Sequence, residues 1–138
     1  MPLLRYYYAG DIPVYASSQI YNGMVNTARD NDLNGIRFPI MPWAINPSPQ
    51  AKLLRQKIVS LWPESFKAHS LLYAFGIDAY TLMTHMSQLE AFPKFGFSAN
   101  TGTLYLAPNQ RIVRQLEWAE FNKGKPSLLT NTRSFISN

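Results

Sequence analysis

Two histidines, His69 and His85, are the first side chains to weigh for chemistry, and they stand far apart in a chain of 138 residues. No HExxH surrounds either one, no carboxylate lies at ligand spacing, and no cysteine is available to complete a metal shell. Both therefore read as structural, His69 near a helix start and His85 on a helix face. Ser17 and Ser18 follow a strand-like run, where a nucleophile is often held, but the surrounding VYASSQI lacks the two glycines that let a GxSxG elbow make its strained turn. The seven glycines are scattered and form no GxGxxG or GxxxxGK[ST] phosphate loop. Asp78, Glu90, Glu117 and Glu120 are carboxylates a fold could pair for acid–base work. Nothing in their spacing brings two of them together, and surface carboxylates with one hydrogen-bonding aspartate is the simpler reading. The expectation is a binding domain with no catalytic residue, no cofactor and no metal.

Composition narrows the partners. Hydrophobic residues make up 46% and charged residues 15%, a balance that supports a folded core at this length. The net charge of +5 could attract nucleic acid, but the charge is spread along the chain. Seven basic and four acidic residues lie in 1–68, and six and four in 69–138. A single-strand nucleic-acid binder needs a concentrated basic stripe, so nucleic acid is not expected as a partner. The absence of cysteine excludes disulfides and thiolate chemistry. No apolar run approaches the ~20 residues of a membrane helix.

The elements that would position a site follow from pattern. Residues 3–8 and 12–16 read as strands separated by a Gly10-Asp11 turn, and IPVYA reads as a buried strand. A short helix over Ile20–Ala28, capped by Ser17 or Ser18, is predicted, then a polar loop over residues 29–35. Ile36–Met41 reads as a strand whose Pro39 places it at an edge or a bulge. Ser48-Pro49 fits N-cap and N1 of an amphipathic helix with Ala51, Leu54, Ile58 and Leu61 inward, ending at Pro63. A second helix from about Ser70 to Leu89 places Leu72, Phe75, Ala79, Leu82, Met86 and Leu89 on one stripe but is apolar on other faces too, so it must be covered on more than one side. From Phe95 onward the period becomes two, with turns at Pro108-Asn109 and Asn122–Lys125, and with a slip after Ala119 that reads as a bulge or strand end. Together these give an α/β fold: a mainly parallel sheet with flanking helices and a C-terminal β-hairpin. One domain or lobe is expected over residues 1–129, with a flexible tail over 130–138.

The runs YYYAGDIPVYASSQIY, DLNGIRFPIMPW, YAFGIDAYTLMTHM and GFSANTGTLYLAPNQRIVRQLEWAEFNKG, in this order, resemble the C-terminal module of LppC/LpoA-type lipoproteins, the activators of class A penicillin-binding proteins. The matches extend over most of residues 6–125, and the FGIDAY and TGTLYL pair alone identifies only the wider class of type I periplasmic binding proteins. The resemblance implies about the last half of a two-lobed module, in a protein tethered to the outer membrane and working in the periplasm. It implies binding to a class A penicillin-binding protein, which stimulates peptidoglycan synthesis, and no chemistry of its own. A lipobox, a signal peptide and an N-terminal helical-repeat domain are not among these residues, so anchoring is expected to belong to other segments. The alternative is a sensor of a small molecule or cell-wall fragment. Ligands of open α/β sheets approach the carboxyl ends of strands, which points to Ser17, Ser18 and Gln19 after the first strand and Pro42 and Trp43 after the second. Asp78 is expected to hydrogen-bond a cleft loop. These six residues form the candidate partner surface, one wall of a cleft rather than a whole site. The apolar helix and an unpaired sheet edge also predict self-association of the isolated chain.

Overall fold

Turn chemistry and prolines decide most of the architecture of this α/β chain, of which the computed structural model describes residues 12–129. The strand expected over residues 3–8, the Gly10-Asp11 turn and the tail expected over 130–138 lie outside the described residues. The described chain divides into two compact units. One comprises the described parts of Met1–Ile40 and Glu117–Asn138, the other Met41–Leu116.

The first unit carries strand β1 (Val14–Tyr15), a 3₁₀ turn at Ser18–Ile20, one helical turn α1 (Thr27–Asp30), a second 3₁₀ turn at Asn31–Leu33 and strand β2 (Ile36–Ile40). Its two other strands come from the end of the described chain and are numbered in chain order, β6 (Glu117–Asn122) and β7 (Lys125–Leu128). The sheet order is β1-β2-β6-β7. Only β1 and β2 run parallel, whereas β2–β6 and β6–β7 are antiparallel. The mainly parallel sheet expected from sequence is thus corrected. A two-residue turn at Lys123-Gly124, with φ values of 51° and 71°, closes β6 onto β7, and so tight a connection permits antiparallel pairing alone.

Further expectations for this unit change with the pairing. β1 is a two-residue edge strand, not a buried one, and Ile12 and Tyr15 are exposed. No helix forms over Ile20–Ala28, because Gly23 takes a φ of 88° and the Asn22 side chain accepts the Met24 N–H at 3.1 Å, a local turn that competes with a helical ladder. Helical geometry begins only after Asn26, whose Oδ1 accepts the Arg29 N–H at 3.2 Å, and it runs into the segment read as a loop. Buried Asp30 closes that segment, accepting the Asn26 N–H at 3.2 Å and the Arg29 Nε–H at 2.7 Å.

β2 lies inside the sheet despite Pro39. Pro39 stands opposite Trp118, whose carbonyl accepts the Leu129 N–H on the far side, so this pair exchanges no hydrogen bonds. The Pro39 nitrogen therefore faces the β1 side, and pairing with β1 stops at Arg37. No donor is needed where proline has none. Phe38 stacks on Phe121 with ring centroids 4.7 Å apart, and Tyr21 covers both rings.

In the second unit Pro42 starts a helical turn α2 (Pro42–Ile45), Pro49 starts helix α3 (Pro49–Leu61) and Pro63 starts helix α4 (Pro63–Ala91). Ser48 caps α3 as expected, its Oγ accepting the Ala51 N–H at 3.2 Å. α4 begins before the predicted Ser70, but it breaks at His69, whose φ of −133° is not helical. Three antiparallel strands, β3 (Phe97–Ala99), β4 (Gly102–Leu106) and β5 (Ile112–Gln115), complete the unit. Met41, Trp43, Ala51, Ile58, Phe66 and Ala74 form its core.

Candidate functional site

The strand-end residues separate into an exposed group and a buried group. Ser17, Ser18 and Gln19 follow β1 in the first unit. The Ser17 carbonyl accepts the Ile20 N–H at 3.2 Å, which turns the chain, and its hydroxyl caps nothing. Ser17 and Gln19 are exposed and Ser18 is half-buried. Among the described residues none of the three side chains has a hydrogen-bond partner, so all three present free polar groups at the carboxyl end of the β1–β2 pair.

Pro42, Trp43 and Asp78 belong to the second unit. Pro42 supplies the first helical position of α2 and is partly exposed. Trp43, expected on the partner surface, has no exposed surface in this chain. Its indole Nε1–H donates to Ser70 Oγ at 3.3 Å, its backbone N–H donates to the Asn100 carbonyl at 2.9 Å, and its carbonyl accepts from Arg55 Nη1 at 2.6 Å. The Arg55 guanidinium lies over the Trp43 and Phe66 rings, 5.4 and 5.6 Å from their centroids. An indole so enclosed organises the unit from within.

Asp78 is buried too, and the loop it binds is part of its own unit. Asn100 and Thr101 are the two residues that turn β3 into β4. Asp78 Oδ1 accepts the Asn100 N–H at 3.0 Å and Asn100 Nδ2 at 2.8 Å, and Oδ2 accepts the Thr101 N–H at 2.7 Å. The same turn thus receives Asp78 from α4 and gives its carbonyl to Trp43. Two of the six candidates therefore bind one hairpin tip, Asp78 through its carboxylate and Trp43 through its backbone N–H. Arg55 and Ser70 complete this cluster. Sequence spacing did not single them out, because one sits on the charged side of α3 and the other at an expected helix start.

The carboxylates behave differently from one another. Glu120 accepts a 2.9 Å hydrogen bond from Arg37 Nε directly across the β2–β6 pair, and this bond raises the already high Arg37 pKa. Glu117, three residues earlier, pairs with no cation. Its Oε2 is buried without a hydrogen-bond partner, and burial pushes its pKa above the usual carboxylate range.

Comparison with known proteins adds context to this geometry. The profile of a family described as LppC putative lipoprotein matches residues 1–124. The chain is 33% identical over 89 residues to the penicillin-binding protein activator LpoA of Vibrio cholerae, covering 64% of this chain and 14% of that protein. It is 34% identical over 116 residues to the activator of the same name in Edwardsiella ictaluri, covering 82% of this chain and 16% of the other. Among solved structures it is similar to one described as the LpoA (YraM) C-domain from Haemophilus influenzae, a regulator of PBP1A, with a TM-score of 0.70 and 25% identity over 93% of this chain and 39% of that one. The chain therefore spans less than a fifth of the length of either curated relative.

Proposed function

Because the chain belongs to the LppC lipoprotein family, we propose that it is part of a cell-envelope regulator that binds and activates a class A penicillin-binding protein. The observation that carries this reading is the likeness, in sequence and in fold, to a C-domain described as a regulator of PBP1A. The regulator works by binding the synthase, without catalysis of its own. It acts in the periplasm, held to the outer membrane by a lipidated segment, and its consequence is faster peptidoglycan synthesis. Within this chain the exposed residues Ser17 and Gln19, with Ser18 between them and the exposed part of Pro42, supply contacts to the partner. Trp43 and Asp78 contribute by keeping the second unit rigid.

The experiment is a titration of this chain, and of a longer protein that contains it, against the periplasmic region of a class A synthase while transpeptidation is followed. The longer protein is expected to raise the rate, and the chain alone to bind or to compete. A longer protein that neither binds nor stimulates would remove the assignment.

A further inference from the structure

Two Asn-Gly steps occur in the chain, Asn22-Gly23 and Asn34-Gly35, and the fold treats them differently. Asparagine is a thermally labile residue, and before glycine no side chain shields the next backbone nitrogen, which can attack the side-chain amide and expel ammonia. Asn34 is secured against this. Its Nδ2 donates to Asn31 Oδ1 at 3.2 Å and its Oδ1 accepts the Gly124 N–H at 2.9 Å. The Gly35 N–H, whose nitrogen would have to attack, donates to the Phe121 carbonyl on β6 at 2.8 Å. Reaction there would break hydrogen bonds at both ends of the side chain and at the entry to β2.

Asn22 meets none of these restraints. It is exposed and lies outside any helix or strand, and among the described residues no hydrogen bond holds the Gly23 N–H. Gly23 is itself covered, whereas the exposed Asn22 side chain leaves ammonia a way out and water a way in. The one bond recorded for that side chain favours reaction. Asn22 Oδ1 accepts the Met24 N–H at 3.1 Å, which folds the amide back over the Gly23 peptide. It also sets a donor on the oxygen where negative charge develops as Cγ becomes tetrahedral.

We propose that Asn22-Gly23 is a site of spontaneous deamidation, selected by the fold over Asn34-Gly35. The Gly23 nitrogen bonds to Asn22 Cγ and gives up its proton, the Cγ–Nδ2 bond breaks, and ammonia leaves with that proton. Water then opens the succinimide at either carbonyl, to an aspartyl or an isoaspartyl residue. Either product adds a negative charge beside Tyr21, which covers Phe38 and Phe121, and just beyond the Ser17–Gln19 turn. The inference stands whether or not activation of a synthase is found. Its test is peptide mapping by mass spectrometry of the purified full chain, aged at mildly alkaline pH both folded and in urea. Trypsin cuts after Arg29, so the two asparagines fall on separate peptides, 6–29 and 30–37. In the folded chain Asn22 is expected to convert at least tenfold faster than Asn34, and in urea, where both lose their surroundings, the two rates should converge. An Asn22 that stays unmodified in the folded chain, equal rates at the two sites in the fold, or the same ratio in urea as in the fold would each overturn the proposal.

Discussion

At the residue scale two carboxylates carry opposite burdens. Asp78 is buried with three donors aimed at it, so its charge is met by hydrogen bonds. Asp78→Ala would strand two backbone N–H groups at the hairpin tip, and since bonds to a charged group contribute roughly 1.5–3 kcal/mol each, the expected loss is about 2–4 kcal/mol. Urea denaturation should show the midpoint fall accordingly, and an unchanged midpoint would mean that the turn holds itself. Glu117 has a buried oxygen and no donor, and desolvation raises its pKa in the fold. A raised folded pKa favours the fold below the unfolded value, and that contribution is lost as pH rises through the folded one. Glu117→Gln should therefore match the parent in melting temperature near pH 3 and exceed it by pH 8. A difference independent of pH would show that the carboxyl is solvated.

At the element scale, turns and caps were legible and burial faces were not. Ser48-Pro49 announced α3, and Asn122–Lys125 announced the last hairpin, because those residue types act locally. The slip after Ala119 has another origin. Leu116 lies before β6 begins, and within β6 Trp118 faces Tyr15 while Ala119 and Phe121 form the buried face. The inward face of α4 was misread for a related reason. Its buried residues are Phe66, Ser70, Ala74, Asp78 and the expected Leu89, with two polar residues turned inward by Trp43 and the hairpin, while Leu72 and Phe75 stay exposed. An apolar-stripe rule cannot find a face built on polar side chains whose partners lie up to 27 residues away in the chain. Gly102 offers the sharpest test of the hairpin it begins. Its φ is 140°, and a Cβ there would collide with the Gln115 carbonyl oxygen on β5. Gly102→Ala should lower the melting temperature by several degrees, more than Gly76→Ala, where a Cβ meets nothing.

At the scale of the whole molecule, surface chemistry and ancestry set the expectations. The misassigned stripe leaves an apolar groove of about 630 Å³ in the second unit, lined by Leu54, His69, Leu72, Ile77 and Tyr80. Leu72 is 63% and Tyr80 76% exposed, which is uncommon for an apolar helix face in a freestanding protein. The isolated chain should associate with itself in sedimentation experiments at high concentration, and Leu72→Glu with Tyr80→Glu should return it to a monomer. A parent chain that stays monomeric throughout would contradict this. The fold type was legible in the blocks from PVYAS to TGTLYL, whereas the sheet's direction was not, because β6 joins β2 across a separation of some eighty residues.

The most direct measurement for the account as a whole is calorimetric titration of this chain into the periplasmic region of a class A penicillin-binding protein. Saturable binding near one to one is expected, weakened when Gln19→Arg and Ser17→Arg crowd the strand ends and unaffected by Lys57→Ala on the polar side of α3. Absence of binding, or binding indifferent to the strand-end substitutions, would contradict the assignment of that surface to the synthase.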